Sequence, residues 1–480
     1  MSLTLSELIL AMPSPEADDV TCLPPSLQIA SLRPIPIGRW RRLSLLGSLQ
    51  AKIAVAYMFH WCRGWFRSAD EQQRMLVETH WRTAVRVLDS MGYMRGAVMK
   101  IGQTLANFPD IAPQEFVETL HQLHFDAPPM HWSLLREMVA NELGDEPERL
   151  FAEFDRHAFA AASLGQVHRA RLKNGEEVAV KIQYPGIGRT ITEDLLNFTL
   201  FMFPARISRD WDYTRRMVDD VRVRMEQESD YAREATAMEH ARSLFRDEDG
   251  IVVPRVYRQY SSSRVLTMER LSGVHLNEFL AGSPDQSRRN EFGRRIMRGT
   301  YRQMFAGRTV YGDFHPGNLL FMNDGRLGWL DFGFMVPLDG ELWEAMRSLD
   351  RALTTGEAAD RKQAIVHWSS ITDEGAAPMQ LLDDFSQWCW GSRYCGGEFD
   401  FGNEEQFRRG FELFGKLAQS RFARTRPCTA AMNRQQFGLM SLLYQLRARF
   451  DVRELAEQEV QATGWDRSAY ASASQETSRG

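Results

Sequence analysis

The chain has 480 residues, 44% of them hydrophobic and 25% charged, which suits a globular protein with a substantial core, built as one large two-lobed domain with additions or as two to three units. Its formal net charge of −5 supplies no global positive field, so nucleic acid is not an expected partner. The five cysteines, Cys22, Cys62, Cys389, Cys395 and Cys428, are scattered and odd in number; they argue against a disulfide framework or zinc site and for reduced thiols in a cytoplasmic compartment.

Residues 1–40 read as an extended arm, with Pro13, Pro15, Pro24, Pro25, Pro34 and Pro36 in polar sequence. No cleavable secretory signal is visible, and Glu7, Glu16, Asp18 and Asp19 suit a transit peptide poorly. Residues 41–145 read as a helical extension. Within it, 44–66 is apolar and aromatic and follows Arg39, Arg41 and Arg42, but Gln50 and Lys52 interrupt it. A bilayer span is therefore a poor fit, and the segment reads either as a helix packed on the protein or as an amphipathic helix in peripheral contact with a membrane. A further helix is expected at 132–143.

The texture then turns to strands. In 158–184, GQVHRARL and EEVAVKIQ flank Lys173-Asn174-Gly175, and Asn-Gly between two such runs predicts a hairpin. Residues 191–245 return to helix, 251–269 read as strands, and most of the rest reads as helix. The exception is 318–334, where Asn323-Asp324-Gly325 predicts a second hairpin. The polar tail, 466–480, reads as frayed.

Three signals follow in an order that carries chemistry. Val178-Ala179-Val180-Lys181 ends a hairpin strand, where kinase folds place the lysine that neutralises the α- and β-phosphates. Asp313 and Asn318, in Asp313-Phe314-His315-Pro316-Gly317-Asn318, have the spacing of the kinase catalytic loop, with a carboxylate to orient a nucleophile and an amide oxygen for Mg²⁺. Asp331-Phe332-Gly333 closes the second hairpin, which should bring Asn318 and Asp331 to one end of a ribbon as two oxygen ligands for Mg²⁺ bridging the phosphates of ATP. A carboxylate must hold Lys181, and the helix over 221–243 offers several, Glu228 and Glu234 among them; spacing alone leaves the choice open.

These residues resemble the UbiB, or AarF-domain, atypical kinases. Ala160-Ala161-Ala162-Ser163 looks like the alanine-rich nucleotide loop of that family, Lys100-Ile101-Gly102-Gln103 like its K-x-G-Q signature, Glu228-Ser229-Asp230 like its E-x-D, and Asp313 through Asn318 like its D-x-H-P-G-N loop. The resemblance spans about 80–345. It implies an α+β, two-lobed protein-kinase-like fold with a small β-rich N-lobe (146–272, with a helical insertion), a helical C-lobe (273–465) and the N-terminal helical extension packed over the site. It also implies that Lys100 reaches into the site to meet Glu228 or Asp230, that Glu234 partners Lys181, that Asn318 and Asp331 bind the metal, and that Asp313 is the loop aspartate. Met268 and Glu269 complete the expected nucleotide contacts. Family members bind and hydrolyse ATP and support isoprenoid-quinone biosynthesis or lipid homeostasis, so a membrane lipid or quinone precursor is the expected further partner beside ATP or ADP. A nucleotide-binding pseudokinase or chaperone without phosphoryl transfer is the alternative.

Protein phosphorylation is not expected. Alanines replace the glycines that let backbone N–H groups approach phosphates closely, and no A-P-E motif follows Gly333. Gly165 departs from the alanine common in the family, and Tyr311, Gly312 and Phe314 depart from the usual residues around the loop aspartate.

Overall fold

The computed structural model describes residues 130–462 apart from 163, 186–224, 313, 356–357, 370–377, 395 and 420–426. The expected arm, the 44–66 segment, the K-x-G-Q segment and the frayed tail lie outside the described residues.

The N-lobe begins with α1 (Trp132–Leu143) and the short α2 (Pro147–Leu150), which lead into β1 (Glu153–Ala162), β2 (Gly165–Arg171) and β3 (Glu177–Gln183). After α3 (Tyr231–Leu244) and β4 (Ile251–Val252) comes β5 (Val265–Glu269), and the lobe's sheet is antiparallel in the order β1-β2-β3-β5. The Asn-Gly hairpin forms where its sequence predicts it: Gly175 sits at φ +90°, in the left-handed region that glycine adopts without strain, and Asn174 Oδ1 accepts from the Glu176 N–H at 3.1 Å.

Strand β3 is buried on both faces, and its period-2 alternation divides the work. Val178, Val180 and Ile182 pack with Leu135 and Val139 of α1 and with Phe151 in one core. Ala179 lies instead in the main core with Tyr231, Ala235 and Met238 of α3 and Leu266 of β5. Lys181, which alternates with Val180 and Ile182, falls on that second side, where it meets α3.

Gly165 opens β2 opposite Gln183 of β3. A β-carbon there would collide with the Ile182 carbonyl oxygen and lie 2.8 Å from its carbon. The obstacle is backbone, so it cannot rotate away, and the alanine common in the family does not fit here without a shift of the strands. Gly165→Ala should therefore lose about 1–3 kcal/mol of stability through overpacking, read as a lower urea midpoint; an unchanged midpoint would refute the close approach.

The C-lobe comprises α4 (Leu276–Ala281), α5 (Gln286–Phe305), β6 (Thr309–Tyr311), β7 (Leu319–Phe321), β8 (Leu327–Trp329), β9 (Met335–Pro337), α6 (Gly340–Thr355), α7 (Ala358–Ser369), α8 (Met379–Trp390), β10 (Glu398–Asp400), α9 (Glu404–Gln419), α10 (Pro427–Leu446), β11 (Arg449–Asp451) and α11 (Val452–Ala462). Helix α5 runs through its core, burying Phe292, Ile296, Met297, Tyr301 and Met304 at helical spacing. Three small sheets decorate the helices: β4-β8-β7, β6-β9 and β10-β11. Strand β4 precedes β5 in sequence yet pairs in parallel with β8, Ile251 opposite Leu327. The second predicted hairpin is β7–β8, with Gly325 at φ +87° in its turn. No helix among the described residues is long and apolar enough to cross a membrane.

Candidate active site

Three separate segments converge on Lys181, which is 6% exposed. Its Nζ donates to both carboxylate oxygens of Glu234, at 2.8 and 2.9 Å, and to Asp331 Oδ2 at 3.1 Å. The ammonium also sits 4.9 Å from the centre of the Tyr231 ring, close enough for a cation–π attraction. The choice the spacing left open is settled: the carboxylate that meets Lys181 is Glu234, not Glu228.

The start of α3 explains that choice. Asp230 caps the helix, its carboxylate accepting from the Ala232 N–H at 3.0 Å. Tyr231, Glu234, Ala235, Met238 and Ala241 then recur on one buried face, so Glu234 enters the site with the residues that anchor α3 to the core. Asp230 of the E-x-D signature thus fixes the helix that carries Glu234, while Glu228 precedes the cap.

One cation lies between two carboxylates, and the electrostatics follow. Burial works to lower the Lys181 pKa, but Asp331 and Glu234 outweigh it and hold the ammonium well above the ordinary lysine value. Burial pushes the Glu234 carboxyl up to about 7, against the pull of Lys181 and with the help of Asp331. The cluster would be net negative with every group ionised, so the deeper carboxylate is the one whose proton affinity rises.

The hairpin β7–β8 brings the two expected metal ligands to one end, as the sequence predicts. Leu319 pairs with Trp329, and the Leu330 N–H donates to the Asn318 carbonyl at 2.9 Å, next to Asp331. Asn318 donates its amide nitrogen to Tyr311 Oη at 3.1 Å, so the ligating character of the side chain rests in Oδ1. Asp331 Oδ1 accepts from the Gly333 N–H at 2.9 Å, which holds the Asp-Phe-Gly turn. Phe332 is buried against Tyr311 and Trp329. The departures around the loop have a packing reason: Phe314 packs edge-on against Tyr311 and Trp329, and a β-carbon on Gly312 would strike the Phe334 ring.

The alanine tract differs from expectation. Ala160, Ala161 and Ala162 are not a loop but the last residues of β1, paired with Val167, Gln166 and Gly165. Ser163 lies outside the described residues, as do Lys100 and Asp313. Met268 and Glu269 end β5. Met268 is buried opposite Ala179, and the Glu269 N–H donates to the Arg255 carbonyl at 2.8 Å. Ala161→Gly loosens this strand end by about 1 kcal/mol of backbone freedom. It should shift ATP affinity relative to ADP by about fivefold; affinities for both nucleotides unchanged from the wild type would remove the strand end from the site.

Sequence reasoning missed Tyr231, Tyr311 and a buried relay in β2. Gln166 Oε1 accepts from the Met130 N–H at 2.8 Å, its Nε2 lies 2.7 Å from His168 Nε2, and His168 Nδ1 lies 2.8 Å from the Asp155 carbonyl. The consistent tautomer is neutral, protonated on Nδ1, and burial lowers the His168 pKa. Gln166 and His168 stand in the strand-like run GQVHRARL, and their alternation on a strand was the signal available.

A β-rich lobe over a helical one, a strand lysine paired to a helix glutamate, and an Asp-Phe-Gly turn meeting that lysine define a two-lobed protein-kinase-like fold. Residues 122–364, half of the chain, match the ABC1 atypical kinase-like domain, and the chain belongs to that family. It is 30% identical over 331 residues to the chloroplastic protein Activity of bc1 complex kinase 8 of Arabidopsis thaliana, covering 65% of this chain and 43% of that one. It is 31% identical over 284 residues to the mitochondrial atypical kinase COQ8 of Saccharomyces cerevisiae, covering 58% and 55%. The chain thus spans about half the length of such curated relatives. Among solved structures, the Rv3197–erythromycin complex from Mycobacterium tuberculosis shares the fold, with a TM-score of 0.57 at 24% identity over 82% of this chain and 98% of that one.

Proposed function

We propose that the chain binds Mg-ATP between its lobes and hydrolyses it, or passes the γ-phosphoryl group to a small non-protein acceptor, in support of isoprenoid-quinone biosynthesis or lipid homeostasis. The observation that carries this reading is the junction of Lys181, Glu234 and Asp331, from three segments, at one point where Lys181 and Glu234 are buried and Asp331 is half-buried.

The donor set suits the cofactor. Asp331 and Asn318 offer hard oxygen ligands, as Mg²⁺ requires, and two such ligands suit an ion completed by substrate phosphates. When bound, Mg²⁺ would neutralise charge developing on the phosphates. Lys181 would offer its ammonium to the phosphate oxygens, Glu234 would keep that ammonium oriented, and Tyr311 would hold the Asn318 amide in place.

The segment after Asp-Phe-Gly supports a small acceptor over a peptide. From Gly333 the chain passes directly through β9 into α6 at Gly340, leaving little loop on which to lay a polypeptide.

A second reading, nucleotide binding without transfer, is favoured by one contact. Lys181 is held by Asp331 as well as by Glu234, a resting state in which the residues for phosphate and metal satisfy each other. Mg²⁺-dependent ATP hydrolysis by the full chain, with and without anionic liposomes, separates the two. Turnover, raised by liposomes if 44–66 contacts a membrane, is the expected result. A nucleotide-dependent thermal shift with no turnover under either condition would support the second.

A further inference from the structure

Helix α10 lies beyond residue 364, where the match to the atypical-kinase domain ends, yet it packs directly against the segment that carries Asn318. Met432, Leu439, Leu442, Leu443 and Leu446 recur at helical spacing and form its buried stripe. Gln435 stands in the middle of that stripe and is fully buried. An amide so placed is costly unless it is hydrogen-bonded, so the partners of Gln435 say what it is there to hold.

Both ends of the amide are engaged, and they are not interchangeable. Nε2 donates to Met304 Sδ of α5 at 2.9 Å, which turns Oε1 the other way, onto the Tyr311 N–H at 2.7 Å. Tyr311 ends β6, opposite Met335 of β9. Successive N–H groups of a strand point to opposite sides. The Gly312 N–H donates to the Phe334 carbonyl at 3.0 Å, so the Tyr311 N–H faces away from β9, and Gln435 satisfies it.

From Tyr311 one side chain carries the constraint to the expected metal ligand. Its Oη accepts from Asn318 Nδ2 at 3.1 Å, which leaves Oδ1 for a cation. Two more contacts bind α10 to the same region. A β-carbon on Gly438 would collide with Phe314 Cβ and lie 2.6 Å from the Phe314 carbonyl oxygen, and the Arg434 guanidinium sits 5.5 Å from the centre of the Phe334 ring.

We infer that Gln435 is a positioning residue for the metal: it fixes the end of β6, so that Tyr311 holds the Asn318 amide with its oxygen toward the cation. The inference rests on the Mg-ATP reading and adds to it a helix from outside the matched domain. Gln435 acts here through Tyr311, so the effects of the two residues must not be independent.

The test is an electron paramagnetic resonance titration of Mn²⁺ into the full chain with ATP present, beside ATP affinity measured in a chelator. Tyr311→Phe should weaken Mn²⁺ binding about tenfold, as loss of a partner to a metal ligand commonly does. Gln435→Met keeps the shape of the side chain but offers no oxygen. It should weaken Mn²⁺ binding about as much, and leave metal-free ATP affinity, which rests on Lys181, within about twofold. The double variant should bind Mn²⁺ within about twofold of Tyr311→Phe alone, whereas independent effects would multiply to about a hundredfold. If Gln435→Met does not fold, Gln435→Asn, one methylene too short to reach the Tyr311 N–H, carries the same expectations. Wild-type Mn²⁺ affinity in a folded Gln435 variant, a matching loss of metal-free ATP affinity, or multiplied losses in the double variant would each overturn the inference alone. A wild-type chain whose Mn²⁺ affinity does not rise with ATP would overturn the Mg-ATP reading, and the inference with it.

Discussion

Asp331→Asn should lower Mg²⁺-dependent ATP turnover roughly 10²–10³-fold while leaving the chain folded. The fold survives because the amide oxygen can still accept from the Gly333 N–H, the contact that holds the turn, and because Lys181 keeps both oxygens of Glu234. What disappears is the negative oxygen that meets Lys181 in the resting protein and would meet the metal in the loaded one. An amide nitrogen there would face the ammonium donor to donor. Steady-state turnover together with a urea midpoint checks both halves; turnover within fivefold of wild type would remove Asp331 from the metal site.

Lys181→Met should cost about 3 kcal/mol at pH 8 and weaken ATP binding at least tenfold. Glu234 is 3% exposed, and losing its cation leaves a buried carboxylate with Asp331 as its charged neighbour. Its escape is to take a proton. In the wild type the Glu234 pKa stands at about 7 against an ordinary 4.5. Between those values the native state holds a proton that the unfolded state has lost, so this group's contribution to stability falls as pH rises from about 4.5 to 7. Without Lys181 the carboxyl's proton affinity climbs further and the window extends upward. The deficit of Lys181→Met relative to wild type should therefore be larger at pH 8 than at pH 6. Equal deficits at both pH values would show that the buried pair is not the source of the loss.

What the sequence made legible were the features set by local chemistry. Asn174-Gly175 and Asp324-Gly325 specify turns with glycine at positive φ, and both hairpins formed around them. The second hairpin alone suffices to place Asn318 beside Asp331, because a strand, a turn and a strand return the chain to its starting point. The K-strand, loop and Asp-Phe-Gly order then identified the fold.

What remained hidden depended on distant pairing. Spacing alone did not separate Glu228 from Glu234, although the family resemblance implied Glu234; the packing of Tyr231, Ala235 and Met238 against the core gives the physical reason that Glu234 turns toward β3. The family resemblance made Ala160–Ala162 a nucleotide loop although they stand in a tract that reads as strand; their pairing with β2 shows that the local texture was the better guide. Strand β4 was legible as a strand, but not its parallel pairing with β8, which lies in the other lobe's sequence. Tyr311 was read as a departure from the family pattern; it is the hydrogen-bond partner of Asn318, and its own N–H donates to Gln435 of α10 at 2.7 Å, a contact no local pattern announces.

The central claim is that Lys181, Asn318 and Asp331 gather around a single divalent cation and triphosphate. Electron paramagnetic resonance titration of Mn²⁺ into the full chain, with and without ATP, reads that cluster directly. Mn²⁺ should bind at least tenfold more tightly when ATP is present, and the gain should vanish in Asn318→Leu and in Asp331→Asn. An ATP-dependent gain of the same size in both variants would place the metal and nucleotide elsewhere.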